Sequence, residues 1–473
     1  MPQKSYLFPD ARIAARGDQS CDTTKDGFQC SPEISHRWGH WAPYFSVESK
    51  KVSNEIPDQC KVTFVQMLSR HGSRSPSKSQ DKGFRKSMKK IKGARERKEE
   101  ASVFDDYEYR LGLESLVPFG EKELIDSGTL FYQRYSSLAA INIPFIRSTD
   151  SGRVTESAKR FIEGFQGSKI KDSNADKGQA APKIDVVMKF EKDFKMTLHH
   201  NTCPRFEKTH RGLKFDAITK YAKTWMPAVK KRLGGLIKGA GLRLIDIFQL
   251  MELCAFQTVA DASKGPGKVS EICNLFTKSE WADFDYTQTL SKYYAYGNGN
   301  ELGPAQGIGF ANELFARLTQ TEICEEETSF NPDLEFPVDR VIYLDFTHDN
   351  GIVPILTAMG LYQVDLPGDK LQSPEASGDF SAGWVVPFAA RAYIEKLDCE
   401  DGDFIRVIVN ERVIQPTGCG PDELKRCKLD DFLQILSSAK DKWDWQKCSK
   451  PLSAKERFAA TQRRLATIKF FAS

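Results

Sequence analysis

Short apolar runs that are rich in β-branched and aromatic residues occur in the early and the late parts of the chain. Runs of this composition, bounded by polar and turn-forming residues, are typical of β-strands. We predict strands over residues 62–68, 143–146, 184–190, 341–346 and 404–409. Each predicted strand is short enough to be one member of a buried sheet.

Between residues 209 and 290 the pattern changes to helical spacing. Apolar residues recur every three or four positions over 225–236 and 242–259, and Phe310, Leu314 and Leu318 repeat the same spacing further on. Strands on both sides of a helical middle predict an α/β fold. We expect a mixed sheet flanked by helices on both faces, with a smaller all-helical domain inserted into it.

The same pattern gives expected domain bounds. The α/β domain is expected to span residues 21–195 and 300–450, with 77–135 lying partly in a helical cap, and the helical domain to span 196–299. Residues 1–20 and 451–473 are expected as terminal extensions. A functional site is expected between the two domains, at the carboxyl ends of the strands.

Charge and hydropathy exclude several classes of function. The 68 basic and 64 acidic residues give a net charge of +4, which is too balanced for a general nucleic-acid-binding protein. No apolar run approaches the roughly 18–20 residues of a membrane-spanning helix. We therefore expect neither a nucleic acid nor a membrane as partner, and any basic functional patch must be local.

Eleven cysteines are spread along the chain without a C-x-x-C pair. This spacing favours disulfides over zinc ligands, and disulfides are typical of secreted proteins. Residues 1–20 contain no apolar segment of a secretory signal, and no N-x-S/T glycosylation acceptor occurs. We give the cysteines more weight and predict a secreted protein.

The segment 69–76, SRHGSRSP, directly follows the predicted strand 62–68. His71 lies between Arg70 and Arg74, whose charges repel each other and disfavour protonation of the imidazole. A phosphate dianion relieves this repulsion, because guanidinium groups bind phosphate oxygens in pairs. The neutral imidazole can act as a nucleophile. The segment therefore predicts a phosphate site with His71 as the attacking group.

A second motif, THDNG at residues 347–351, follows the strand 341–346 and precedes an apolar run, 352–359, that is predicted to be a helix. The start of that helix would direct N–H groups at an anion. His348 can donate to a phosphoryl oxygen, and Asp349 can protonate a leaving alcohol as general acid. Arg147 follows the short strand 143–146 and is a weaker candidate.

RHGSRSP together with HDNG resembles the histidine acid phosphatases. Further segments resemble the fungal 3-phytase (phytase A) group, and together they extend from Cys21 to Cys448: CDT with Cys30, SHRWG at 35–39, FVQ at 64–66, VPFGE at 117–121, PFIRS at 144–148, FIEGFQ at 161–166, GPAQG at 303–307 and ANEL at 311–314. The resemblance implies a phosphomonoesterase that works at acidic pH on myo-inositol hexakisphosphate.

The resemblance also implies a role for each site residue. His71 would attack phosphorus, and Asp349 would protonate the leaving oxygen before water hydrolyses the phosphohistidine. The phosphoryl oxygens would be held by Arg70, Arg74, Arg147 and His348. Lys82 and Lys292 are expected to line an entrance for the polyanionic substrate. No metal and no cofactor are implied, and a monomer is expected.

The disulfide pairing of the family maps onto five pairs of this chain and leaves Cys324 unpaired. These pairs are Cys21–Cys30, Cys60–Cys399, Cys203–Cys448, Cys254–Cys273 and Cys419–Cys427.

Departures from the family pattern keep alternatives open. Ser73 and Ser75 replace a small apolar residue and an aromatic residue, and we expect the loss of the aromatic side chain to change the pocket wall. A broad-specificity acid phosphatase, a phosphotransferase of the mutase kind and a catalytically silent inositol-phosphate-binding protein therefore remain as rival hypotheses.

Overall fold

A computed structural model describes residues 22–23, 27–28, 31–47, 49, 52–189, 197–199, 203–262, 269–323, 335–366 and 378–473. Its strands are β1 (Asp22–Thr23), β2 (Gly27–Phe28), β3 (Cys60–Arg70), β4 (Glu96–Arg97), β5 (Phe145–Thr149), β6 (Val186–Met188), β7 (Ile237–Lys238), β8 (Ile342–Thr347), β9 (Arg391–Cys399), β10 (Gly402–Val409), β11 (Arg412–Ile414) and β12 (Cys427–Lys428).

Its α-helices are α1 (Pro32–Ser35), α2 (Lys78–Lys92), α3 (Pro118–Arg134), α4 (Ser136–Ala139), α5 (Gly152–Lys171), α6 (Pro204–Leu236), α7 (Leu244–Asp261), α8 (Lys278–Tyr296), α9 (Leu302–Ala305), α10 (Ile308–Thr319), α11 (Asp349–Ala358), α12 (Ala382–Val385), α13 (Leu429–Lys442) and α14 (Ala454–Ala472). Short 3₁₀ helices cover Gly39–Trp41, Glu99–Phe104, Glu271–Leu275 and Trp445–Cys448.

One mixed sheet organises the molecule, in the strand order β11-β10-β9-β3-β8-β5-β6, with β12 paired to β10. Strands β3, β8, β5 and β6 run parallel, and β9, β10 and β11 add an antiparallel side. Parallel strands present their carboxyl ends at one edge, so the loops after β3, β8 and β5 lie side by side. The predicted mixed α/β fold is confirmed.

Side chains alternate between the two faces of the sheet, as the period-two rule requires. Phe64 and Leu68 of β3 enter a core formed with α9, α10, α11 and α13, whereas Val65 and Met67 face a second core formed with α3 and α5. Because both faces are covered by helices, the parallel strands are buried on both sides, which explains their continuous apolar sequences.

A third core lies outside the sheet. Helices α2, α6, α7 and α8 pack around the buried side chains of Phe84, Trp225, Leu250 and Trp281. Helix α14 lies against α6, and its Phe470 and Phe471 contact this helical core. The helical unit thus takes in α2 and α14 in addition to the range 196–299; the domain bounds stay a prediction.

Four disulfides lie within the described residues, and all four are among the pairs that the family resemblance implies. They are Cys60–Cys399, Cys203–Cys448, Cys254–Cys273 and Cys419–Cys427. Cys60 and Cys399 lie opposite each other on β3 and β9. The side chains of Cys21, Cys30 and Cys324 fall outside the described residues.

In the part of the chain that the structure describes, no helix is long and apolar enough to cross a membrane.

Candidate active site

Two histidines meet where β3 and β8 end. Arg70 and Thr347 are paired in register as the last residues of these parallel strands, and the His71 N–H donates to Thr347 O at 3.2 Å. His71 and His348 follow directly, and their ring centroids are 5.3 Å apart. The parallel register of the sheet therefore brings the two sequence motifs into one site.

The hydrogen bonds of His71 prepare its ring for nucleophilic attack. Nδ1 lies 2.9 Å from Gly72 O, which can only accept, so Nδ1 carries the proton and Nε2 holds the lone pair. Burial lowers the pKa of His71 well below 6.5, and Arg70, His348, Arg153 and Arg74 lower it further. The imidazole is therefore neutral at acidic pH, as a nucleophile requires.

The side chain of Arg70 is held in one orientation by main-chain and ring contacts. Its Nη1 donates to His40 O at 2.5 Å and to Val386 O at 2.7 Å, while its guanidinium carbon lies 4.5 Å from the centre of the Phe388 ring. The side chain is only 1% exposed. Because its orientation is fixed before any ligand arrives, Arg70 binds an anion with little loss of side-chain entropy.

Arg74 and Arg153 supply two further guanidinium groups. Arg74 follows His71 in the same loop and lies over the Trp41 ring, 5.3 Å from its centroid, and Arg153 lies in the first turn of α5. Burial lowers the pKa of Arg74 to about 9, and Arg153 and Arg70 add repulsion. Among the described residues neither Arg74 nor Arg153 forms a salt bridge. This uncompensated positive charge favours an anion as ligand.

Asp349 lies opposite the nucleophile at the start of α11. Its Oδ2 is 2.5 Å from Lys292 Nζ, 3.5 Å from Arg70 Nη2 and 4.0 Å from His40 Nε2. Burial by itself would raise the pKa of Asp349, but Arg70, Lys292 and His40 together hold it well below 3.8. Without a ligand the carboxyl group is therefore ionised at pH 5.

These groups line one cavity of about 390 Å³, a volume within the usual range for small-molecule sites. Its lining is His40, Trp41, Arg70, His71, Arg74, Arg153, Lys214, Phe215, Ile218, Phe248, Glu252, Gln288, Ser291, Lys292, Tyr296, His348, Asp349 and Asn350. A larger cavity of about 800 Å³ lies beside β9, but its lining contains neither histidine nor cysteine. The chemistry therefore places the active site in the smaller cavity.

Arg147 does not lie in this cavity. Its side chain is buried between the sheet and α10, where Nε is 2.7 Å from Asp345 Oδ1 and Nη2 is 2.7 Å from Glu313 Oε2. The sequence placed the end of the strand at residue 146, but β5 continues to Thr149, so Arg147 belongs to the strand and not to the loop after it. Arg153, which the sequence analysis missed, lines the cavity instead.

Two other expectations concern the cavity wall, and the first needs correction. Lys82 lies on the exposed side of α2 and does not line the cavity, whereas Lys292 does. Ser75 is buried, and its N–H donates to Ser115 O at 2.9 Å. Ser75 itself is not part of the lining, and the effect of an aromatic residue at this position stays a prediction.

The helical unit contributes residues that no motif indicated, and they include Lys214, Glu252 and Gln288. Glu252 accepts a hydrogen bond from Trp41 Nε1 at 3.0 Å, and burial raises its pKa to about 7. Their only signal in the sequence is a polar residue within an apolar helical stripe.

Among the described residues no group of three or more His, Cys, Asp or Glu side chains is arranged to hold a metal ion.

Comparison with known proteins agrees with this geometry. Residues 61–410 match the family model of the histidine phosphatase superfamily, branch 2. The chain belongs to this family. Phytase A of Penicillium oxalicum is 43% identical over 441 residues, which are 91% of this chain and 95% of that protein. Phytase A of Aspergillus oryzae is 43% identical over 447 residues, 92% of this chain and 95% of its own.

Two solved structures share the fold. The crystal structure of the phytase from D. castellii has a TM-score of 0.70 at 23% identity and covers 89% of each chain. The Bifidobacterium longum multiple inositol polyphosphate phosphatase in complex with phosphate has a TM-score of 0.58 at 15% identity, covering 88% of this chain and all of that one. The membership in the histidine phosphatase family that the motifs predicted is confirmed.

Proposed function

We propose that the protein is a phytase that hydrolyses the phosphate monoesters of myo-inositol hexakisphosphate through a phosphohistidine on His71. The observation that carries this proposal is a neutral, buried imidazole surrounded by Arg70, Arg74 and Arg153, with Asp349 on the opposite side. The fungal relatives named phytase A, which match this chain over nearly its whole length, support the substrate.

The reaction follows from these positions. The Nε2 lone pair attacks phosphorus while the bond from phosphorus to the ester oxygen breaks, and Asp349 gives its proton to that oxygen so that a neutral alcohol leaves. Water then attacks the phosphohistidine, and Asp349 takes up a proton from it. Arg70, Arg74, Arg153 and His348 hold the phosphoryl oxygens, so catalysis consists of positioning and charge stabilisation.

The excess of cations in the cavity supports a substrate with several phosphates. Lys214 and Lys292 line the wall that the helical unit provides, and Lys292 also pairs with Asp349. Arg70, Arg74 and Arg153 can bind one phosphate, so the additional charge of these lysines favours a ligand that carries further phosphates.

The test measures phosphate release at about pH 5, where an acid phosphatase is active, from inositol hexakisphosphate and from p-nitrophenyl phosphate. Wild type is compared with His71→Ala and with His199→Ala, which removes a histidine that does not line the cavity. A preference for inositol hexakisphosphate that only His71→Ala abolishes supports the proposal.

Other outcomes decide between the rivals. Release mainly from p-nitrophenyl phosphate would assign a broad-specificity acid phosphatase. Transfer of the phosphoryl group to an acceptor alcohol, without release of free phosphate when no acceptor is present, would assign a phosphotransferase. Binding of inositol hexakisphosphate without turnover would leave a silent binding protein.

We further propose that the protein is secreted and acts as a monomer. Four disulfides support secretion, because such bonds persist in oxidising compartments. Light scattering tests the monomer, and thiol titration of the protein recovered from the culture medium tests the disulfides.

A further inference from the structure

A buried carboxylate lies directly behind the loop of His71. Glu123 of α3 is 1% exposed and does not line the cavity. Its Oε2 accepts from the Ser73 N–H at 2.7 Å, and its Oε1 accepts from the Tyr44 N–H at 3.0 Å. One side chain therefore joins two separate stretches of main chain.

Both stretches belong to the walls of the active site. Ser73 lies between Gly72 and Arg74, two residues after the nucleophile, and Tyr44 closes the segment that contains His40 and Trp41. The two walls already meet where Arg70 donates to His40 O. Glu123 adds a second connection between them, from the side opposite the substrate.

In addition to the contact with Glu123, the surrounding packing restricts the loop of His71. A Cβ on Gly72 would lie 2.3 Å from Gly120 O, and the Val117 N–H donates to Ser73 O at 3.1 Å. The Gly72 N–H donates to Ser157 Oγ at 3.1 Å. Ser73 is fully buried, so its N–H has no access to water if Glu123 stops accepting.

We propose that Glu123 is a positioning residue, whose ionised carboxylate fixes the loop of His71 and Arg74 against the wall of His40 and Trp41. Both carboxylate oxygens accept from N–H groups, and only the ionised form can do this with both. A protonated carboxyl group, or an amide, would turn a donor toward one of the two N–H groups, and one hydrogen bond would be lost. The inference rests on the proposed role of His71.

The charge state of Glu123 makes this role dependent on pH: at about pH 5 the side chain is protonated and one of the two hydrogen bonds is lost, and the loop is fully fixed only above the pKa. Burial raises the pKa of Glu123 to about 7, although the N–H groups of Ser73 and Tyr44 and the guanidinium of Arg391 lower it. The charged groups that face it are Arg391 of β9 and Arg70 of β3, and both stay protonated throughout this range. Tyr44 and Ser157 contribute neutral groups, since burial raises the pKa of Tyr44 well above 10.

The test compares kcat for p-nitrophenyl phosphate in wild type and Glu123→Gln between about pH 4 and pH 8. The glutamine imitates the protonated side chain at every pH, so the ratio of wild-type to variant kcat should be near one at low pH. Above the pKa the ratio should rise to about tenfold, because a nucleophile displaced by less than 1 Å loses about that much. Titration of His71 and Asp349 occurs in both proteins and cancels in the ratio.

Glu395→Gln is the matched control. Glu395 is equally buried and accepts from Arg134, Tyr135 and Arg406, but it lies outside the cavity lining. Its ratio should not change with pH, even if thermal unfolding shows a loss of stability. If Glu123→Gln does not fold, Glu123→Asp replaces it, since the shorter side chain cannot reach both N–H groups and the same trend is expected.

A ratio for the Glu123 variant that stays constant with pH, at whatever value, would overturn the proposal. An equal rise in Glu395→Gln would do the same, because it would indicate a general effect of buried charge. Absence of turnover in wild type would count against the proposed function instead.

Discussion

The arginines that bind phosphate also keep His71 neutral. An isolated imidazole is half protonated near pH 6.5 and would be a poor nucleophile at acidic pH. Burial and the neighbouring cations lower the pKa of His71 well below that value, so the lone pair stays available at pH 5. The same charges then stabilise the transferring phosphoryl group, and one arrangement of residues serves both needs.

Asp349 has the opposite requirement, because a general acid must hold a proton. Arg70 and Lys292 keep its pKa well below 3.8, so it is ionised at pH 5. A bound anion engages these cations and removes their stabilisation of the carboxylate, which raises the pKa of Asp349. We therefore expect that the substrate itself brings about the protonation of the general acid.

This expectation can be tested with sulfate, which imitates phosphate but takes up no proton at about pH 5. Sulfate binding to wild type should be accompanied by uptake of about one proton, measured by calorimetry in buffers of different ionisation enthalpy. Asp349→Asn keeps every neighbouring group and should bind sulfate without that uptake. Equal uptake in both proteins would assign the proton to another group, such as His71.

Arg153 and Arg147 should respond differently to replacement by alanine. Arg153→Ala removes a guanidinium from the cavity and should lower kcat/KM by about 10²-fold or more, with little change in thermal stability. Arg147→Ala removes a guanidinium that pairs with two buried carboxylates, Asp345 and Glu313. It should cost about 3–5 kcal/mol of unfolding free energy, even though Asp345 keeps its ion pair with Arg317. Kinetics and thermal unfolding of both variants make the comparison.

The result would be contradicted if Arg147→Ala folded normally but lost kcat/KM as strongly as Arg153→Ala. The sequence could not separate the two arginines, because its prediction ended the strand three residues too early. The rule that identified Arg70 and His348, namely position at a strand end, points to Arg153 once β5 is extended to Thr149.

At the scale of helices and strands, the apolar pattern predicted the strands whose buried side chains are mostly uncharged. The predicted strands at 62–68, 341–346 and 404–409 correspond to β3, β8 and β10. Strand β9 was missed, because it carries Arg391 and Glu395 and so reads as polar. In the structure Glu395 is fully buried, with Arg134 and Arg406 as partners. Buried ion pairs across distant elements cannot be recognised in a single sequence.

Helix α2 lies within the range 77–135, which is expected to lie partly in a helical cap. Its sequence is rich in lysine, yet Phe84, Met88 and Ile91 recur at helical spacing and enter the helical core. The charged residues between them stay on the outer face. Three apolar positions are enough to attach a helix when the remaining face is exposed.

The disulfides should differ in their contribution to stability. Cys60–Cys399 joins residues 339 apart, whereas Cys419–Cys427 closes a loop of 8 residues. The cost of closing a loop grows with its length, so the paired serine variant of the first should lose about 2–5 kcal/mol and that of the second clearly less. Thermal unfolding under identical conditions gives the order, and a reversed order would contradict the chain-entropy argument.

At the scale of the whole molecule, the net charge of +4 conceals a strong local field. The cavity gathers Arg70, Arg74, Arg153, Lys214 and Lys292 against only Asp349 and Glu252. The sheet supplies the reacting groups, and the helical unit supplies Lys214, Glu252 and Lys292 from α6, α7 and α8. The sequence predicted the reacting groups from motifs at strand ends, but it could not place the helical residues because their proximity arises only in the folded chain.

This division of the cavity predicts how salt affects turnover. Salt screens the attraction between charges that lie farther apart than the Debye length, about 10 Å at 0.1 M, and a polyanion is affected more than a monoester. Raising NaCl from roughly 0.02 to 0.5 M should lower kcat/KM for inositol hexakisphosphate by about tenfold, and that for p-nitrophenyl phosphate by much less. The difference measures the contribution of cations beyond the three arginines around His71.

A comparison of two lysines of α6 tests whether the helical wall of the cavity makes that contribution. Lys214→Met removes a cation from the cavity wall and should reduce the salt dependence for inositol hexakisphosphate, while kcat for p-nitrophenyl phosphate stays unchanged. Lys223→Met, on the exposed side of α6 and outside the lining, should leave both substrates unaffected. If both variants changed the salt dependence equally, the overall charge of the molecule, and not the helical wall of the cavity, would attract the substrate.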